Sequence, residues 1–307
     1  MRDLTHVPGV GISHYEKHVS IEGERPLTWL APELTFAAFS QTKAQNIRMT
    51  AFNFSASMTL ASAPTTLTAP SPLATFHSAH YLRHNQRRQE HLATLGLDIA
   101  GRNVLEVGAG IGDHTSFFLD RECRVVTSDA RPANIEKLRE RFAAQKKVSV
   151  RQVDLDQPLL SGLGDNEMFD IVYCYGLLYH LGRPAEALQY LAAHCSGILL
   201  LELCVSFGDD EAVNLVREPQ ADPSQAWSGI GCRPTRAWVF SRLRENFKFV
   251  YVPRTQPWHE EFPLDWSPTS AASWPAKQLS RAVFVGSRAA IALPSLMDKL
   301  VVNHTRC

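Results

Sequence analysis

Short apolar runs alternate with helix-length amphipathic stretches along the chain from about residue 76. The strand-like runs, in order, are "NVLEVGA", "RVVTSDA", "VSVRQVD", "FDIVYCY", "GILLLELCV", "KFVYVP" and "RAVFVGSR". Strands separated by helices of this length are expected to be parallel and joined by right-handed crossovers. No helical stretch separates the last two strands, which indicates an antiparallel last strand. The pattern therefore predicts an α/β fold with a doubly wound, mostly parallel sheet.

The segment before this alternation has a different composition. "TLASAPTTLTAPSPLATF" is rich in Ala, Thr, Ser and Pro, carries no charge and shows no sustained period. Such a composition buries little surface for each residue ordered, and it is typical of linkers or loosely packed segments. We therefore predict an N-terminal extension over residues 1–75, one folded domain over 76–290 and a C-terminal tail over 291–307.

Composition and charge narrow the class of protein. The 307 residues are 45% hydrophobic and 20% charged, and 31 basic side chains balance 31 acidic ones. A net charge of zero predicts no general attraction to nucleic acid or to a membrane surface. The six cysteines form no CxxC pair, and the start of the chain has no apolar signal core. These features predict a cytoplasmic protein with reduced thiols and no membrane span.

A glycine-rich turn follows the first predicted strand, where ligands bind in such sheets. Gly108, Gly110 and Gly112 allow positive φ angles and a close approach of the backbone to a ligand. The dinucleotide fingerprint requires a third glycine at the position of Asp113, and no Walker A lysine is present. Glu106, two residues before the turn, repels phosphate but suits a cationic amino group. The turn thus favours a ligand that carries both an adenosine and an ammonium group.

The stretch "VLEVGAGIGDHT" resembles motif I of the class I S-adenosylmethionine-dependent methyltransferases, and the resemblance extends over roughly residues 80–290. It implies a Rossmann-like sheet and S-adenosylmethionine as the cofactor. By this resemblance Asp129 takes the ribose hydroxyls, although it also fits a helix cap, and Asp156 competes with Asp154 for the adenine. The implied cofactor-binding residues are Glu106, Gly108, Gly110, Gly112, Asp129, Asp154, Leu155 and Tyr175.

Two histidines are candidate general bases. His180 follows the fourth strand, and its ordinary pKa near neutrality allows it to accept a proton from an acceptor hydroxyl, or it only shapes the pocket. His259 lies in "PRTQPWHEEFPLDW", which we expect to form the acceptor side of the site together with "WSGIGCRPTRAW".

A row of histidines on the first long helix raises the question of a metal site. His77, His80, His84 and His91 fall largely on one helical face, but no neighbouring cysteine or acid in the sequence completes a ligand set. We expect a polar face that covers the cofactor pocket, and no metal.

These observations predict methyl transfer from S-adenosylmethionine to a small-molecule acceptor, at oxygen or nitrogen, with no nucleic-acid partner. "YCYG" stands where many adenine and amide methyltransferases carry D/N-PP-Y, which argues against those acceptors. The alternatives are a non-catalytic methyltransferase-like binding protein and an NAD-dependent oxidoreductase, the latter disfavoured by Asp113 and Glu106. The oligomeric state is left open.

Overall fold

The computed structural model describes residues 71–158 and 162–307. The predicted extension therefore lies outside the described residues, except for 71–75. The helices are α1 (Pro72–Phe76), α2 (Ala79–Thr94), α3 (Thr115–Leu119), α4 (Pro132–Phe142), α5 (Pro184–Ala193), α6 (Arg236–Asn246) and α7 (Pro268–Ser273). None of the helices in the described part of the chain is long and apolar enough to span a membrane.

The strands form one large sheet and two small ones. They are β1 (Asn103–Val107), β2 (Arg124–Asp129), β3 (Val148–Gln152), β4 (Phe169–Tyr175), β5 (Cys195–Cys204), β6 (Val213–Arg217), β7 (Ile230–Pro234), β8 (Phe249–Pro253), β9 (Thr255–Gln256), β10 (Arg281–Ser287), β11 (Leu296–Met297) and β12 (Thr305–Arg306). The large sheet has the order β11-β8-β10-β5-β4-β1-β2-β3.

The predicted fold class is confirmed by the pairing of these strands. Strands β3, β2, β1, β4 and β5 are parallel, whereas β10 is antiparallel to both β5 and β8. The chain proceeds from β1 toward β3 on one side and continues through β4 and β5 on the other. The strand order therefore reverses between β1 and β4, which is where a ligand crevice is expected in a doubly wound sheet.

The middle of the sheet is buried on both faces. Along β5, Leu199, Leu201 and Leu203 pack into the core that contains α5 and α6, whereas Leu200 packs into the opposite core with α2 and α3. A strand covered on both faces has a continuous apolar run, which explains "GILLLELCV". Glu202 shares a face with Leu200 because side chains alternate along a strand. It is the one acid in this run.

Residues 291–307 fold back onto the domain. β11 pairs with β8, and β12 pairs with β9. The buried His304 directly precedes β12, and its Nδ1 is 3.0 Å from the carbonyl oxygen of Pro253, the last residue of β8.

The glycine turn after β1 is constrained by the packing beneath it. Gly108, Gly110 and Gly112 all have positive φ angles. A Cβ on Gly112 would lie 2.4 Å from Phe142 and 2.8 Å from Leu138, both on α4. Gly101 shares the left-handed backbone, with φ of 72°, but has no atom within 4 Å of its would-be Cβ.

We predict that Gly112→Ala destabilises the fold by about 1–3 kcal/mol more than Gly101→Ala, because only Gly112 adds an overpacked contact to the backbone strain that both variants share. Chemical denaturation of the two variants measures this difference in the free energy of unfolding. Equal losses would show that the α4 contact does not constrain the turn.

Candidate functional site

A pocket opens at the carboxyl ends of β1, β2 and β4, at the predicted crevice. Helix α2 contributes Tyr81, Asn85 and Arg88 to its wall, and the segment 223–227 also contributes to its lining. The sequence-predicted residues that line it are Glu106, Gly108, Gly110, Asp129, Asp154, Leu155, Tyr175 and His180. The fold thus brings most of the predicted site together.

Two predicted residues lie elsewhere. Gly112 does not line the pocket and instead lets α4 pack closely under the turn. His259 also lies outside the pocket lining, buried with its ring stacked on His84 at 4.5 Å between centroids. A general base must reach the acceptor atom. The position of His259 therefore gives no support to its predicted role as a base.

Glu106 is a buried carboxyl with one oxygen left for a ligand. Its Oε2 accepts hydrogen bonds from the hydroxyls of Thr115, at 2.5 Å, and Thr127, at 3.1 Å. Among the described residues, no donor is within hydrogen-bond distance of Oε1. Burial raises the pKa of Glu106 to about 7, against the opposing effect of the two hydroxyls. A ligand ammonium group would favour the ionised form, which fits the predicted role.

Asp129 joins the end of β2 to the glycine turn. Its Oδ2 accepts the Gly110 amide at 3.0 Å, and its Oδ1 accepts the Arg131 amide at 2.8 Å. Burial raises its pKa to about 6, although these hydrogen bonds act in the opposite direction. The N-cap of α4 is Arg131, so Asp129 is not the cap of that helix. Its carboxylate instead lies at the pocket wall, where ribose hydroxyls can reach it.

The two acids after β3 have different surroundings. Asp156 accepts the Gly182 amide at 2.9 Å and the Ser228 hydroxyl at 2.7 Å, which ties two loops together. Asp154 lines the pocket beside Leu155, and Asp156 does not. This placement favours Asp154 over Asp156 for contact with adenine.

His180 is held in place by an acid that the sequence analysis missed. It ends the 3-10 turn Leu178–His180 after β4, and its Nδ1 is hydrogen-bonded to Glu218. Glu218 also accepts from Arg233 at 3.1 Å and from the Ala226 amide at 2.8 Å. Burial lowers the pKa of His180, although Glu218 acts in the opposite direction. The ring is thus oriented and neutral, and Nε2 remains available to the pocket.

A buried ion-pair network lies at the side of the pocket. Glu202 is 0% exposed; it forms an ion pair with Arg88, with an N–O distance of 2.7 Å, and accepts a hydrogen bond from Arg281 at 3.2 Å. Arg281 also donates to Glu261 at 2.5 Å and to the Tyr179 hydroxyl at 3.0 Å. Two features of the sequence could have indicated this network. Glu202 is the one acid in the apolar run "GILLLELCV", and Arg281 is the first residue of the apolar run "RAVFVGSR".

Arg131 holds the segment that follows β6, residues 220–226, next to the pocket. The Arg131 guanidinium donates to the carbonyl oxygens of Gln220, at 2.7 Å, and Gln225, at 2.9 Å. It also lies 5.0 Å from the ring centroid of Trp227, which lines the pocket and is 46% exposed. The pocket mouth therefore has a large, accessible aromatic face.

Comparison with known families agrees with this geometry. The family model described as "Methyltransferase domain" matches residues 105–196, which include the glycine turn, Asp129 and His180. Residues 105–196 therefore match a methyltransferase domain, in agreement with the resemblance to the class I S-adenosylmethionine-dependent methyltransferases. The predicted family and the predicted cofactor, S-adenosylmethionine, are thereby confirmed, and the NAD-dependent alternative is not supported.

Individual relatives are more specific. The tRNA U34 carboxymethyltransferase of Pseudoalteromonas atlantica is 28% identical over 176 residues, covering 55% of this chain and 51% of the relative. That of Idiomarina loihiensis is 31% identical over 175 residues, covering 55% and 53%. The chain spans about half the length of these curated relatives. Among solved structures, the N-terminal domain of EvdMO1 with SAH bound has a TM-score of 0.49 at 23% identity, over 68% of this chain and 84% of that one.

These relatives correct two of the sequence predictions. The prediction of a small-molecule acceptor and that of no nucleic-acid partner are both wrong, because the matched relatives are named for a tRNA nucleotide. The zero net charge misled because it is a sum over the whole chain and does not describe the local surface at the pocket. The missing D/N-PP-Y signature argued only against the amino-nitrogen acceptors of adenine and amides, and the names of these relatives do not contradict that argument.

We predict that the affinity for S-adenosylhomocysteine rises with pH through about 7, because the ligand ammonium group binds the ionised form of Glu106 and ionisation occurs at its raised pKa. Glu106→Gln should bind about 1.5–3 kcal/mol more weakly at pH 8. It should retain only the pH dependence that comes from Asp129. Calorimetric titration between pH 5.5 and pH 8 measures both effects.

Glu122→Gln is the matched control, because Glu122 is exposed and pairs with Lys147 away from the pocket. An identical pH profile in Glu106→Gln and wild type would mean that Glu106 does not bind the ligand cation.

Proposed function

We propose that the chain transfers a carbon group from an S-adenosylmethionine-type sulfonium to a nucleobase of tRNA. The observation that carries the proposal is that the matched curated relatives share the name tRNA U34 carboxymethyltransferase. The pocket supports it with a cofactor end, a histidine oriented by an acid and an exposed aromatic rim.

The cofactor end of the pocket suits S-adenosylmethionine. Glu106 would hold the ammonium group through Oε1, Asp129 the ribose hydroxyls, and Asp154 with Leu155 the adenine. The glycine turn lets the backbone approach the ligand, and the buried Tyr175 hydroxyl has no hydrogen-bond partner in the structure. When bound, the sulfonium supplies an electrophilic carbon, so that the protein mainly aligns the acceptor and excludes water.

His180 serves as the proton acceptor in this proposal. The hydrogen bond from Nδ1 to Glu218 leaves the lone pair on Nε2, and burial keeps the ring neutral. A neutral imidazole at the pocket wall can take the proton of an acceptor hydroxyl or ring nitrogen as the new bond forms. Glu218 then stabilises the resulting imidazolium, because its own pKa is lowered by the contact with His180 despite burial.

The β6–β7 hairpin provides the entry for the nucleobase. Trp227, in the connection between its strands, lines the pocket and exposes its ring, and Ile230 is also exposed. RNA bases that are splayed out of a loop stack on such aromatic faces. Arg217, exposed on β6, offers a cation for the adjoining phosphates.

We predict that the full chain modifies a uridine in tRNA when supplied with S-adenosylmethionine or with the same sulfonium carrying a carboxylate on its methyl group. Nucleoside mass spectrometry distinguishes a methyl addition from a carboxymethyl addition. His180→Ala should slow turnover by roughly 10²–10⁴-fold, as expected for loss of a general base, with little change in affinity for S-adenosylhomocysteine.

Gly110→Val is the inactive control, because its Cβ would lie 2.9 Å from Phe76 and it should lose cofactor binding as well as turnover. An enzyme that binds S-adenosylhomocysteine but modifies no tRNA with either donor would contradict the proposed acceptor.

A further inference from the structure

A second cluster of chemistry-bearing side chains lies behind the pocket wall and takes no part in the proposed reaction. His84, His259 and Glu261 are buried, and each offers one ligand atom within 4.8 Å of the others. We propose that this cluster binds one divalent transition-metal ion, zinc in preference, with His80 as the fourth ligand. The site would be structural, because no ligand position is left for a substrate.

Two elements far apart in the sequence supply the ligands. His80 and His84 are four residues apart, which places both on one face of α2. His259 and Glu261 come from the segment after β9. His80 Nε2 lies 3.9 Å from Glu261 Oε1, and His84 Nε2 lies 4.0 Å from Glu261 Oε2. Three imidazoles and one carboxylate form a donor set that zinc accepts in tetrahedral geometry.

The unsatisfied atoms of the cluster point to a ligand. Nε2 of His84 and Nε2 of His259 are both buried without a hydrogen-bond partner in the structure. A buried polar atom left unpaired costs about 1–3 kcal/mol. His91, seven residues further along α2, has one of its two ring nitrogens satisfied, because Nε2 is 3.0 Å from the Thr255 carbonyl oxygen. An ion between His84 and His259 would satisfy both orphaned nitrogens at once.

Binding requires a modest rearrangement. A tetrahedral zinc ion with bonds of about 2.1 Å sets its ligand atoms about 3.4 Å apart. The contacts of Glu261 with His80, at 3.9 Å, and with His84, at 4.0 Å, must therefore shorten by roughly half an ångström. The other separations among His84, His259 and Glu261 are at most 4.8 Å and must shorten by up to about 1.4 Å. Nδ1 of His259 accepts a weak hydrogen bond from the Glu261 amide at 3.3 Å, and this contact is lost when the metal takes Nε2 and the proton moves to Nδ1. Glu261 keeps Oε2 on Arg281 and offers Oε1 to the ion.

The ion would also support the pocket. It would join α2 to the segment that holds Glu261, and Glu261 in turn fixes Arg281 at the pocket wall. No metal was expected from the sequence, because no cysteine or acid cluster near the helix histidines completes a ligand set along the chain. The fold provides an acid from about 180 residues further on.

The test uses the full chain, produced without a polyhistidine tag and stripped with a chelator. We predict that it binds one zinc ion per chain, that cobalt(II) in its place shows the visible absorption of a tetrahedral N/O site, and that metal removal lowers the melting temperature. Absence of stoichiometric binding, or an octahedral cobalt spectrum, would overturn the proposal.

Single substitutions locate the ligands. His84→Ala and His80→Ala should each weaken zinc binding by at least about tenfold. His77→Ala should leave it unchanged, because His77 lies just before α2 and contacts Asp113 instead. His80 is half-exposed, so its variant remains informative even if His84→Ala fails to fold. If His84→Ala and His80→Ala both bound zinc as tightly as the wild-type protein, the proposed site would be wrong.

Discussion

The pocket depends on one buried charge, the carboxylate of Glu202. A carboxylate that is 0% exposed in the middle of a strand would cost several kcal/mol if it had no cationic partner. Two arginines provide that partner, Arg88 from α2 and Arg281 from the first position of β10. Because both arginines pair with Glu202, helix α2 and strand β10 lie next to β5 at this end of the sheet. Both then line the pocket.

Arg281 also connects the two sites of the molecule. One side of its guanidinium group donates to the Tyr179 hydroxyl in the pocket, and Nε donates to Glu261 in the histidine cluster. Glu261 thus has a role in both places, as a partner of Arg281 and as the acid of the proposed metal site. A change in the histidine cluster should be felt at the pocket through this one side chain, because both contacts are buried and short.

The part of the fold that could be predicted is the part encoded locally. The glycine turn, the preceding Glu106 and the following Asp129 lie within one β-α-β unit, so their proximity follows from strand order alone. The pairing of His180 with Glu218 could not be predicted, since Glu218 lies on a hairpin whose position depends on contacts such as Arg131 with Gln220. His259 was expected at the acceptor side because its loop mixes aromatic and polar residues, but the ring is buried and stacked on that of His84.

The acceptor itself was misjudged because charge was considered as a sum. In the proposed function, recognition of one nucleotide would depend on a few well-placed groups, such as the exposed indole ring of Trp227 and nearby arginines, and these leave no trace in a net charge of zero. The same reasoning separates the two loops that the sequence analysis considered for the acceptor. Trp227 lines the pocket, whereas Trp258, which is more exposed, does not.

Photo-crosslinking tests the central claim, that a tRNA base enters the cofactor pocket past Trp227, most directly. A tRNA with 4-thiouridine at position 34 would be irradiated with the full chain and S-adenosylhomocysteine, and the crosslinked peptide identified by mass spectrometry. The account predicts crosslinks within residues 213–234, reduced in Trp227→Ala and unchanged in Trp258→Ala. Crosslinks confined to residues 254–266, or none above those of an unrelated RNA, would contradict it.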